Sequence, residues 1–436
     1  MFKKFLIILL TVSLISMLLV SCKSKKEDGN FTPEENEENE ETTTVLETST
    51  KPEIVYEISD DGTYAIAVDC SGIMADIIIA EEYNGVPVTE IGEDAFANKG
   101  YIVNVTLPDS ITKISKSAFE NCPQLKTINL PDGITTICEN TFSECIRLEN
   151  VTIPSSVTTI QRGAFSMCGS FTEIKIPDSV TSIEDYAFHG CANATSITLP
   201  KNISVIASYS FSECAKVTEI VLPDTVNTIE LGAFSGCYNL QSINLPDGIT
   251  KIDDYAFSSS GITHIALPSG LTSLNFSVFF DCVNLKSVVI PDNITHIGEC
   301  AFSSCTQLEN VEIPNSVQVI GGSAFAFCSN LNEIVLPKDI TSIKDDTFSC
   351  CTNLTYIAIP EGVTSIGKQA FVKCEKLSSI YIPKGVTLVA KDAFVECGNL
   401  TDVYYGGSQE DWNKINFDDS TNPLPYFTIH YNSQPK

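Results

Sequence analysis

The chain has 436 residues, 43% of them hydrophobic, and a formal net charge of −29. Phosphate binding needs clustered Lys and Arg, so this balance excludes nucleic acid as a partner. Residues 1–51 hold nine acidic and six basic side chains, leaving 46 acidic against 20 basic beyond them, so the acidity runs along the whole chain.

The first residues, MFKKFLIILLTVSLISMLLVSC, place Lys3 and Lys4 before an apolar run from Phe5 to Val20, followed by small Ser21 and Cys22. A basic start, an apolar centre and small residues ahead of a cleavage point predict a secretion signal over 1–21. The run is marginal against the ~20 apolar residues that a membrane span needs. Its ending, LVSC from Leu19 to Cys22, resembles the bacterial lipobox. That resemblance implies cleavage before Cys22, diacylglycerol on its sulfur, and a lipid-anchored chain at the bacterial cell envelope. Residues 22–51, with ENEENEETTTVLETST at their centre, carry too little apolar surface to offset chain entropy and read as an acidic, disordered tether.

From there the chain repeats. Proline recurs from Pro108 to Pro383 at intervals of 23, with a single interval of 22 between Pro246 and Pro268. A phenylalanine follows each proline by eleven residues, from Phe119 to Phe394, and Phe96 adds one unit upstream, which makes fourteen coils over 77–405. In the coil of Pro131, Ile128 and Leu130 alternate with polar residues, the period of a strand with one inward face. Pro131 has no N–H for a ladder and ends that strand, with its fixed φ suited to the first corner of the turn that follows. Ile134 and Ile137 point inward on the return path. The segment ending in Ala-Phe predicts a short helical or 3₁₀ turn, with the small Ala letting Phe reach the centre. One unit cannot bury its own apolar face, so neighbours must stack. At about 4.8 Å per coil, fourteen coils make a rod of about 65 Å.

The blocks INLPDGITTICENTFSEC and VEIPNSVQVIGGSAFAFC carry a resemblance to the leucine-rich repeat, and closely to the BspA-like 23-residue subfamily. The resemblance covers roughly residues 54–432. It implies an α/β leucine-rich repeat solenoid, a right-handed curved rod with a parallel β-sheet on one face and short helical turns. It also implies an exported or surface protein that binds other molecules and is not an enzyme. YEISDDGTYAIAV, within 52–76, reads as a hairpin turning at Asp61-Gly62 that covers the first coil. YYGGSQEDWNKI and YFTIHYN, in and just before 406–436, look like the family's C-terminal cap, with Trp412 packed inside it.

Of seventeen cysteines, twelve stand three residues after a repeat Phe, from Cys122 to Cys397. One cysteine at the same place in each coil points to packing, so a column of buried free thiols is expected, each S–H available to a loop carbonyl. Stacked Cα atoms about 5 Å apart are also within disulfide range, so distance alone leaves pairing open. Zinc needs clustered thiolates, which a column does not supply. Cys70, Cys138, Cys300 and Cys350 lie off the column.

No nucleophile elbow, zinc helix, phosphate loop or dinucleotide fingerprint occurs, so neither cofactor nor metal is expected. Of the four histidines, His264 reads as an outward strand residue, and His189, His296 and His430 as loop or turn residues. Binding needs only a surface. Outward strand positions two residues before each proline turn apolar and aromatic in the late coils, at Val335, Ala358, Tyr381 and the equivalent Tyr404, with Tyr356 four residues before Pro360. Exposed apolar stripes mark partner sites, and Tyr is enriched in them. The family resemblance implies protein or host-cell adhesion at the cell surface as the function. A structural spacer without a ligand, or an envelope hydrolase, are the alternatives.

Overall fold

The computed structural model describes residues 53–418 and 427–435. Most coils offer two short strands, and equivalent strands pair in parallel across runs of two to four neighbouring coils, with breaks between the runs. Ahead of the prolines, Tyr356–Ala358 pairs with Ser379–Ile382, then Asp402–Tyr405, then Thr428–His430. After the prolines, Ser342–Ile343, Ser365–Ile366, Leu388–Val389 and Asn416–Phe417 form a second ladder. The return path, expected only to point inward, is therefore a sheet in its own right. An in-register offset of one coil sets Ile343, Ile366 and Val389 side by side and puts every inward residue on its own kind.

The solenoid has about sixteen turns, where the repeat spacing predicts fourteen. Both ends add strands that lack the Pro…Phe spacing. Glu53–Ile58 and Ala65–Ser71 pair antiparallel, and Ala65–Ser71 also pairs in parallel with Val86–Ile91. At the far end, Asn416–Phe417 and Thr428–His430 extend the two ladders. Among the described residues the one α-helix is Gln409–Trp412, capped by Ser408, whose hydroxyl accepts from the Asp411 amide while the Asp411 carboxylate accepts from Ser408. Trp412 is buried with its ring edge-on to Tyr405.

Around each core Phe the sequence predicts a short helical or 3₁₀ turn, and the structure shows single turns with bonds three residues back that do not continue as a helix. Near Phe165, the amides of Ala164, Ser166 and Cys168 donate three residues back to Gln161, Gly163 and Phe165. The alternate amides, of Gly163, Phe165 and Met167, donate instead to Asp185, Ala187 and His189 of the next coil. A helix would keep all of them inside its own coil. Turning every second amide outward demands left-handed residues two before and two after the Phe: Gly163 (φ 63°) and Met167 (φ 60°). Cys300 (φ 55°) and Cys350 (φ 60°) occupy these same places beside Phe302 and Phe348, which is why they stand off the cysteine column. The proline turn also differs from expectation. The Pro131 carbonyl accepts from Ile134 N–H at 3.1 Å, so Pro131 opens the turn and Asp132 takes the first corner.

Fourteen phenylalanine rings from Phe96 to Phe394 stack along the core, with neighbouring centroids 5.2–6.1 Å apart and planes within 14° of parallel. Offset aromatic pairs contribute about 0.5–1.5 kcal/mol each beyond the area they bury. The 22-residue coil keeps the stack, with Phe257 and Phe279 at 5.5 Å. It closes because Gly261 approaches the backbone of the previous coil: a Cβ there would stand 2.3 Å from the Tyr238 carbonyl oxygen. Gly261→Ala is expected to cost about 1–3 kcal/mol through overpacking against backbone. Gly398→Ala, where a Cβ meets nothing within 4 Å, provides the control. Urea midpoints of the two variants check the difference, and equal midpoints would contradict it.

Candidate functional site

The residue two before each proline points away from the core, and in the late coils these residues form one row. Ala358 lies opposite Tyr381, Tyr381 opposite Tyr404, and Tyr404 opposite His430. Strand alternation sends the intervening Ile357, Ile380 and Val403 into the core. Val335, one coil earlier, is 74% exposed. A cleft of about 600 Å³ opens here, lined by Val335, Leu336, Tyr356, Ala358, Glu361 and Tyr381, with Glu333 and Lys338 at the same wall. It brings together four of the five residues that the sequence marks, Val335, Tyr356, Ala358 and Tyr381.

Two of the tyrosines differ from the exposed patch expected. Tyr381 leaves the outer face of the sheet but is only 2% exposed. Its hydroxyl donates to the Glu361 carboxylate at 2.6 Å, a charge-assisted bond that fixes the ring. Burial first, and the accepting Glu361 carboxylate second, push the phenol up from its ordinary value. Gly406 leaves room for it: a Cβ there would lie 2.6 Å from the Tyr381 oxygen. Tyr381 is thus a buried support of the cleft. Tyr404 is half-buried outside the cleft lining and stacks on His430, with centroids 4.7 Å apart and planes 16° from parallel. His430 Nε2 lies 2.7 Å from Asp402 Oδ1. Tyr404 therefore helps seat the last strand.

Glu361 was not marked by the sequence, although a signal exists. The residue after each repeat proline is Asp, Ser, Lys or Asn in every coil but this one. Glu361 puts an acceptor on a longer arm than Asp, Asn or Ser, and it reaches the neighbouring coil's phenol. Leu336 and Lys338 give no such signal, because they belong to turns that look the same throughout the repeat.

The cysteines are all free among the described residues, and each of the twelve column thiols donates to the carbonyl of a Phe in the preceding coil, with Sγ–O distances of 3.0–3.5 Å. Burial pushes Cys122 up to about 11 and Cys237, Cys282 and Cys328 up to about 12. Such thiols stay protonated at neutral pH and make neither nucleophiles nor ligands. Off the column, Cys70 Sγ sits 3.6 Å from the Tyr101 hydroxyl, and Cys138 is half-buried. The described residues contain no group of His, Cys, Asp and Glu that could hold a metal. His296 and His430, expected in loops, lie in the strands His296–Ile297 and Thr428–His430. Cys22, the expected lipidation site, lies outside the described residues.

Residues 83–194, 181–309 and 295–423 match the BspA type leucine rich repeat region, described as six copies. The structure is similar to a leucine-rich repeat protein from Bacteroides ovatus, at 28% identity and a TM-score of 0.76, covering 87% of this chain and 98% of that one. It is also similar to a leucine rich cell surface protein from Faecalibacterium prausnitzii, at 29% identity and a TM-score of 0.51, covering 84% and 96%. A comparison with curated proteins finds no match. The repeat period, the stacked phenylalanines and these matches have one explanation: the chain belongs to the BspA-type leucine-rich repeat family.

Proposed function

We propose that the chain is an exported bacterial cell-surface protein whose solenoid binds a protein partner, on a host or a neighbouring cell, through the cleft of its late coils. Val335 carries this reading. It is a large apolar side chain, 74% exposed, beside Tyr356 on a sheet face whose early outward residues are Thr106, Asn129 and Thr152. An exposed apolar side chain with an aromatic neighbour and a polar rim is the make-up of a partner surface, with Tyr356 the residue type enriched at its hot spots. Location at the surface is supported by the secretion signal of residues 1–21, by the lipobox ending at Cys22 with its tether to residue 51, and by the cell-surface description of the Faecalibacterium relative. Among the described residues no helix is long and apolar enough to cross a membrane, and lipid on Cys22 supplies the anchor. The binding reading needs no cofactor.

Val335→Asp combined with Tyr356→Ser tests the cleft. Removing a hot spot costs about 2 kcal/mol or more, or about 30-fold in affinity. The expected result is loss of capture of surface proteins by the mature chain, with an unchanged circular dichroism spectrum. Equal capture by the double variant removes the cleft from the function and leaves the spacer reading.

A further inference from the structure

The cleft is lined in part by a later piece of its own chain. After Thr428–His430 the backbone reverses at Asn432 (φ 54°). The Asn432 amide donates to the Gly407 carbonyl at 2.9 Å and the Ser433 amide to the Tyr405 carbonyl at 2.9 Å, while the Ser433 hydroxyl donates to the His430 carbonyl at 2.7 Å. These bonds send the chain back along the rod, and Pro435 arrives in the cleft lining with Tyr356, Glu361 and Tyr381.

We propose that the cleft recognises an extended protein segment in which proline is followed by a basic residue, and that Asn432–Pro435 is a strap lying in the place of that segment. The inference rests on the cleft being the binding surface and adds the chemistry of the partner.

Three observations carry it. One side of the cleft floor is paired sheet: Tyr356–Ala358 is laddered to Ser379–Ile382, and the Ile359 amide donates to the Tyr381 carbonyl at 3.0 Å, whereas the ladder breaks between Glu333–Val335 and Tyr356–Ala358. On the paired side an occupant's own N–H groups find no backbone partner, and an unpaired buried amide is costly. Proline brings no N–H, and its fixed φ favours the extended helix that aromatic-lined grooves accept at low entropic cost. Next, the walls are tyrosine and aliphatic, and the residue this chain itself places among them is a proline. Finally, the lining carries the carboxylates Glu333 and Glu361 against the single ammonium of Lys338, in a chain of net charge −29. A cation after the proline complements that field and speeds encounter. In sequence the strap Asn432–Pro435 is followed by Lys436, so its proline too precedes a basic residue.

The test uses a chain ending at Tyr431 and, as probe, the synthetic peptide YNSQPK, whose sequence is that of residues 431–436. Binding is read by peptide fluorescence anisotropy. The shortened chain is expected to bind the peptide at least about tenfold more tightly than the full chain, in which the strap competes at high effective concentration. Replacing the peptide proline by Ala, or Tyr356→Ser in the shortened chain, is expected to weaken binding by about tenfold or more. The full chain carrying Pro435→Ala provides a second route that leaves the end of the solenoid in place, and it too should bind the peptide more tightly than the unaltered full chain does. No peptide binding to either loosened chain, or equal binding of the Pro and Ala peptides, overturns the proposal. If peptide binding fails while Val335→Asp with Tyr356→Ser still abolishes capture of surface proteins, the strap chemistry falls and the cleft stands.

Discussion

Between about pH 9 and about pH 11 the solenoid is expected to unfold in one steep step, releasing its thiol protons together. Burial raises ten of the column thiols, from Cys122 to Cys351, above the ordinary value of 9.0, and the neighbouring Cys397 thiol and then burial raise Cys374, so these eleven are neutral in the fold. A raised pKa on an acid that is neutral in the fold means the unfolded chain binds fewer protons above that value. Stability is therefore fully present below about pH 9 and is lost as pH rises toward the folded values, about 11 for Cys122 and about 12 for Cys237, Cys282 and Cys328. One unit above the ordinary value, each thiol costs about 1.4 kcal/mol, and eleven together cost about 15 kcal/mol, the upper end of a whole domain's stability. Thiolate ultraviolet absorbance and the strand dichroism should change along a single curve. Replacing Cys168, Cys191 and Cys214 by Ala should lower the number of protons released by about three. Thiolate absorbance rising near pH 9 while the strand signal holds would contradict the buried column.

The same column shows what the sequence could reveal. Phe165, Cys168 and Ile160 recur at fixed spacing because each coil gives them the same surroundings, all fully buried. Inward positions of a repeat are therefore readable from one chain. The left-handed positions flanking the Phe are not, since Gly163, Tyr186, Cys300 and Lys373 share nothing but backbone geometry. That geometry is imposed by hydrogen bonds to the next coil, against local preference, because left-handed backbone costs about 1–2 kcal/mol for a residue with a Cβ. The second ladder was hidden for a related reason. Two-residue strands such as Ser365–Ile366 are too short to show a period, and exist because their neighbours do. At the cleft, Val335 and Tyr356 were legible as outward strand residues. The cover on Tyr381 was not, since it depends on Glu361, Gly406 and Pro435, from three separate turns. Burial that depends on contacts particular to one place in the array leaves no periodic trace.

Phe165→Ala is expected to divide the rod energetically while leaving its ends intact. The ring is fully buried between Phe142 and Phe188, with centroids 5.4 and 5.3 Å away, and tilts against Phe171 at 5.6 Å. Truncation to Ala leaves a cavity and removes both stacking partners, at about 3–5 kcal/mol. In a compact domain that loss would spread over one cooperative unit. In a stack of coils each repeat touches only its neighbours, so stability is a sum of coil and interface contributions. The weakened interfaces around Phe165 then become the place where the array opens. Hydrogen exchange should accelerate across the coils of Phe142 to Phe188 by about 10²-fold or more, and urea unfolding should become biphasic. Phe394→Ala, in the last coil to carry a repeat Phe, should accelerate exchange only near the C-terminal end. The proposed cleft, built on Glu333–Val335 through Ser379–Ile382, lies several coils from Phe165. It should keep its exchange protection in Phe165→Ala and lose it in Phe394→Ala, whose coil adjoins Tyr381. A single transition with uniformly faster exchange in both variants would show that the coils unfold as one body, and would remove the nearest-neighbour account on which the independence of the cleft depends.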